Sequence, residues 1–222
     1  KEWDADLIAR SVMEGTFKLT YMLQGEHAEI EEKANEFWHV LPLFYAIRHG
    51  ENVKKMFQHL PDPNAPEWQP FQDLRVSDDE VAAIRARYSR SDRQALEEKW
   101  SFVGLCRSFA ASDNPGLKAF AGLSHGYTMS SHLLHKDADG IGMVWERYGR
   151  PPERQLAVRM GHSARVVSDV CSFAKLRLFS LLKACGGSRD ALKAIESRYH
   201  HLDGVLSAAI ARFNEVEYGP AV

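Results

Sequence analysis

Hydrophobic positions recur along this chain at steps of three and four, and no stretch of useful length alternates apolar with polar residues. That period predicts an all-α protein. Trp3, Leu7, Phe17 and Tyr21 share one stripe of a first helix expected over residues 3–23 and closed near Gly25. A second helix is expected over 26–60, bent at Pro42, whose ring removes a backbone donor and crowds the preceding turn. "PDPNAPEWQPF" at 61–71 holds four prolines in eleven residues and reads as the start of an irregular surface loop over 61–76. "SDDE" then predicts a capping box from Ser77 to Glu80, and a restart is expected at Ser91 or Asp92. Asp113 or Asn114, with Pro115 following, marks the start of a helix running to about His135 that "KDADG" closes. A shorter helix is expected over 141–148, and after Pro151 and Pro152 a long one reaches Ala184. "CGGS" stops it, and a last helix, capped at Ser188 or nearby, runs to about Val216.

The pattern contains two interruptions. Arg10 and Glu14 fall inside the apolar stripe of the first helix, one turn apart, where a lone charge would be costly but an i, i+4 pair can neutralise itself. On the helix that starts at 114 or 115, Ser124, Thr128, Ser131 and His135 fall on one packing stripe, with Tyr127 at its edge and His132 opposite. If the two stripes face each other, Arg10, Glu14, Ser131 and His135 meet in one polar cluster. Two readings stay open for it: a structural ion pair that sets helix register, with hydroxyls bonded back to their own carbonyls, or a binding and catalytic centre.

Composition narrows the partners only slightly. With 222 residues, 45% hydrophobic and 26% charged, and a net charge of −2, nothing points globally to nucleic acid or membrane. The chain is long enough for one or two domains, and the absence of a recognisable linker favours a single helical domain over 1–222, its C-terminal pair at 152–216. Three widely spaced cysteines without a C-x-x-C fit a reducing compartment, so a cytoplasmic location is expected. The start "KEWDADLIAR" lacks the apolar region of a signal peptide, and the missing initiator Met suggests that the chain begins inside a longer one.

"LIARSVMEGTFKLTYML", "KWSFVGLCRSFA" and "GLSHGYTMSSHLLHKDADGI" together resemble the three motif blocks of a bacterial family of unknown function placed near the HEPN class (higher eukaryotes and prokaryotes nucleotide-binding). That family's pattern maps onto Arg10 and Glu14, onto Trp100, and onto Tyr127, Ser131 and His135. The resemblance implies an all-helical, HEPN-like bundle with long antiparallel helices and a polar centre. HEPN-class ribonucleases place a His a helical turn or so after an Arg, the Arg steadying phosphate and the His assisting attack by the ribose 2′-hydroxyl. None of the ten histidines here has that spacing, since Arg159 is too near His162 and Arg154 too far. Equivalent parts would have to come from Arg10 and His135 across helices.

Other chemistry is weaker. Glu36 and His39 form a lone E-x-x-H, short of the two that a di-iron bundle wants, and the least implausible metal set is Glu14, His132, His135 and Asp137, so no metal site is expected. Arg85, Arg87, Arg90 and Arg93 surround Tyr88, but acids flank them and a solvated helix face is the better reading. The glycine turns lack a preceding strand, no hydrolase triad is found, and no cofactor is expected. Two functions follow. In the first, the polar centre binds RNA or a nucleotide and can cleave it, with His135 as general acid–base, Arg10 on the phosphate, Glu14 orienting them, and Ser131, Tyr127, Thr128 and Ser124 lining the ligand. In the second, the chain is a non-catalytic interaction module, expected to form a homodimer.

Overall fold

The computed structural model describes residues 2–122, 127, 131, 132, 135, 137–188 and 190–219. Most of these are helical, with no strand among them. The chain divides into two compact units, Gly25–Gly104 and a discontinuous one made of Lys1–Gln24 with Leu105–Val222.

The discontinuous unit contains α1 (Glu2–Met22), and the segment Gly25–Gly104 supplies α2 (His27–Asn35), α3 (Leu41–Phe57), α4 (Gln69–Asp73), α5 (Asp78–Arg87) and α6 (Arg90–Lys99). Then come α7 (Phe102–Ala111), α8 (Pro115–Ala121), α9 (Ala138–Tyr148), α10 (Pro152–Ala184) and α11 (Asp190–Tyr218). In the discontinuous unit, α10 packs against both α1 and α11. Its last turn ends in a Schellman motif: Gly186 takes φ +63°, its amide donates to the Lys183 carbonyl, and Gly187 N donates to Leu182 O at 2.7 Å. The chain then reverses into α11, so Arg154 at one end of α10 meets Glu217 at the far end of α11. Phe17 of α1 is fully buried against Phe109 of α7, with ring centres 5.1 Å apart, and Phe120 of α8 bridges it to Phe173 of α10. Face-tilted aromatic contacts of this kind carry the core's area and orient it.

In the other unit, Leu41, Phe44, Ile47 and Val53 of α3 form the buried stripe, and Trp100 at the end of α6 closes it. Glu36 accepts from the Trp100 indole and from Lys99, each at 2.8 Å. The expected helix over 26–60 is resolved into α2, a π turn at Glu36–Val40 and α3. Pro42 explains the position: it has no N–H to give the carbonyl a turn earlier, and the ladder widens just upstream. The proline-rich loop also holds more order than expected, because Pro66 and Pro70 each sit in a first turn, of a 3₁₀ turn at Pro66–Trp68 and of α4.

Candidate functional site

Arg10 lies at mid-length on α1 with its guanidinium largely covered, 16% of the side chain remaining exposed. Its Cζ stands 4.2 Å from the centre of the Tyr127 ring, and Nη2 donates to the Tyr127 hydroxyl at 2.7 Å. Nε donates to Glu14 Oε1 one turn along at a longer 3.4 Å. The third nitrogen, Nη1, is buried and has no hydrogen-bond partner among the described residues. Partial burial pushes the Tyr127 phenol above its ordinary range, and its hydrogen bond to Glu14 adds to this against the pull of Arg10. The phenol therefore stays protonated, accepting from Arg10 and giving its own proton to Glu14.

Of the residues singled out from sequence, Arg10, Glu14 and Tyr127 are thus in contact. Ser131 is half-buried, and His135 is exposed to solvent. Arg10 spends its contacts on Glu14 and Tyr127 rather than on His135. Ser124 and Thr128 lie outside the described residues.

Beside these stands a group that the pattern did not reveal. Asp6, one turn before Arg10, is buried at 3% exposure, and its Oδ2 lies 3.0 Å from His162 Nε2 of α10, out of line for a hydrogen bond. Arg165 reaches the other Asp6 oxygen at 3.5 Å and Asp169 at 3.3 Å. Burial raises the Asp169 carboxyl, against the opposing pull of Arg165 and His162. The available signal was the i, i+4, i+8 run Asp6, Arg10, Glu14, with H-x-x-R-x-x-x-D on α10. Further along the same interface, Arg177 donates from Nε to Thr16 Oγ1 and from Nη2 to Val12 O, each at 2.7 Å.

The residues weighed as metal ligands separate. His132, Asp137 and Asp139 place one ligand atom each within 4.8 Å of one another, whereas Glu14 is engaged with Arg10. Asp137 is already employed: Oδ1 caps α9 through Gly140 N at 2.9 Å, and Oδ2 meets His132 Nδ1 at 2.7 Å. Glu36 is likewise held by Lys99 and Trp100, while His39 is exposed. In the arginine-rich segment, Arg85 pairs with Glu51 and Arg93 donates to Tyr88 O. No family model matches this chain, nor does any curated protein or solved structure.

Proposed function

We propose that the Arg10–Glu14–Tyr127 centre binds the phosphate of a nucleotide or of RNA. The observation that carries this reading is the buried Nη1 of Arg10, a charged donor with no acceptor among the described residues in an otherwise paired guanidinium. Such a group costs free energy unless an anion or water completes it, and a phosphate oxygen suits the fork of donors. Tyr127 presents a neutral phenol and an aromatic face beside it, the complement of a phosphate next to a base. Cleavage of bound RNA, with His135 as general acid–base, is the catalytic extension of the same reading. The free thiols of Cys106, Cys171 and Cys185 suit a reducing, cytoplasmic setting for it.

Fluorescence anisotropy with a labelled single-stranded oligoribonucleotide, and calorimetry with AMP, test the centre against Arg10→Met. Loss of a charge-assisted phosphate contact should weaken binding by about 10- to 100-fold. Equal binding by parent and variant, or a lowered melting temperature with no binding by either, leaves the pair architectural. His135→Ala should abolish RNA turnover at unchanged melting.

A further inference from the structure

The Gly25–Gly104 unit holds a cavity of about 360 Å³ between α3 and α5, lined only by residues of that unit. Sites for small molecules run from roughly 300 to 1,000 Å³. Ile47, Val76 and Val81 give it aliphatic surface, and Gly50, near the middle of α3, forms part of its wall. Gly50 is buried, yet a Cβ built there would meet nothing within 4 Å. Glycine weakens a helix relative to alanine, and the close approach of another element usually explains one that is buried. Gly161, where a Cβ would strike Phe213, is of that kind. No other element among the described residues approaches Gly50, so what the missing side chain keeps clear is the cavity itself.

Four charged side chains line the same space, and each is about half exposed or more, within reach of a molecule entering from solvent. Arg85 of α5 donates to Glu51 of α3 at 2.7 Å, and Lys54 of α3 donates to Asp78 of α5, also at 2.7 Å. Exposed pairs of this kind contribute little to stability and open at small cost. A lone anion or a lone cation would only exchange one ion pair for another. A molecule carrying both charges satisfies both members of an opened pair at once. No aromatic ring lines the cavity, so a base or an aryl group finds no stacking surface, whereas three branched aliphatic side chains suit a branched aliphatic chain.

We propose that this cavity binds a small zwitterion, an α-amino acid with a branched aliphatic side chain. Its carboxylate accepts from Arg85, its ammonium donates to Glu51, and its side chain fills the space beside Gly50 against Ile47, Val76 and Val81. Lys54 and Asp78 flank the head group with a second pair of the same make-up. The site is independent of the phosphate reading, since neither Arg10, Glu14 nor Tyr127 lines this cavity.

L-Leucine is the probe, its binding to the whole chain followed by calorimetry and by melting temperature. It should bind the parent and raise its melting temperature. Isoamylamine, which lacks the carboxylate, and isocaproate, which lacks the ammonium, should each bind at least about tenfold more weakly. Arg85→Gln, a change at an exposed position, should weaken leucine about tenfold or more and leave ligand-free melting nearly unchanged. Gly50→Leu, which fills the cavity, should abolish binding yet melt no lower than the parent without ligand. The proposal is overturned if leucine fails to bind the parent, if either single-charge analogue binds as tightly, or if either variant binds leucine as the parent does. A lower ligand-free melting temperature for Gly50→Leu would also overturn it, by showing that protein occupies that space.

Discussion

Arg177 makes two contacts with α1, and Gly15 is what leaves room for them. A Cβ built at position 15 would stand 2.8 Å from Arg177 Nη2, the nitrogen that donates to Val12 O, and would meet nothing else closer than the same guanidinium's Cζ. Two effects oppose each other when Gly15 becomes Ala. Helix propensity favours Ala by about 1 kcal/mol. Displacing Arg177 forfeits charge-assisted hydrogen bonds of about 1.5–3 kcal/mol each and leaves Thr16 and Val12 to find other partners. The second effect is larger, so Gly15→Ala should destabilise the parent by about 1–3 kcal/mol. In an Arg177→Met background the sign should reverse, towards a gain of up to about 1 kcal/mol. Urea unfolding of the four proteins measures the coupling, and an identical effect of Gly15→Ala in both backgrounds would show that Arg177 does not occupy that space. Arg10 differs from Arg177 in this respect: Arg177 is held by two short hydrogen bonds to α1, while Arg10 retains a buried nitrogen with no partner among the described residues.

Two element boundaries were legible from a cap written within a few consecutive residues. The box from Ser77 to Glu80 forms as read, with Glu80 Oε2 accepting from Ser77 N at 3.0 Å, and Asn114 caps α8 ahead of Pro115. The restart expected at Ser91 or Asp92 begins instead at Ser89, because Ser89 and Asp92 form the reciprocal pair and Asp92 is its N3 member. "KDADG" spells an ending by composition, but Asp137 also caps α9, which starts three residues before the expected 141. What local spacing does not encode is how closely two helices approach. Gly161 looks like an ordinary interior glycine of a long helix, yet a Cβ there would lie 2.7 Å from the Phe213 ring of α11. Gly161→Ala should therefore cost about 1–3 kcal/mol by overpacking the α10–α11 hairpin. Gly204 on the facing helix has nothing within 4 Å of its Cβ position, so Gly204→Ala should stabilise by up to about 1 kcal/mol. Thermal unfolding of the two variants in parallel tests the contrast, and stabilisation by both would mean that helix propensity, not Phe213, sets the response.

At the scale of the whole molecule, the three- and four-residue period sufficed for the all-α class, because every buried stripe in both units follows it. The site was legible only in part. Arg10 and Glu14 are neighbours on one helix, so their pairing is local, whereas Asp6 and His162 are joined only by the packing of α1 on α10, which one helix's periodicity does not contain. The ionisable groups that folding perturbs give this arrangement a pH signature with a definite sign. Asp137 raises the His132 imidazole above its ordinary 6.5 through their hydrogen bond. That stabilisation is fully present below the unfolded value and is lost as pH rises through the folded one. The Asp137 carboxyl is lowered from 3.8, first by the Gly140 amide and then by His132, so its contribution is present above 3.8 and lost as pH falls through the folded value. Both conditions hold together only between the two ordinary values, in mildly acidic solution. The melting temperature of His132→Ala should fall furthest below the parent's near pH 5, by a small amount because the pair is solvent-exposed, and the gap should close towards pH 8. Asp169 runs the other way: burial holds its carboxyl above 3.8, so protonation favours the fold, and that advantage disappears as pH rises through the folded value. Asp169→Asn, a permanent mimic of the protonated form, should match the parent at pH 3 and exceed it at pH 8. Melting curves at a series of pH values separate the two effects, and a pH-independent offset for either variant would show that its contribution is packing rather than ionisation.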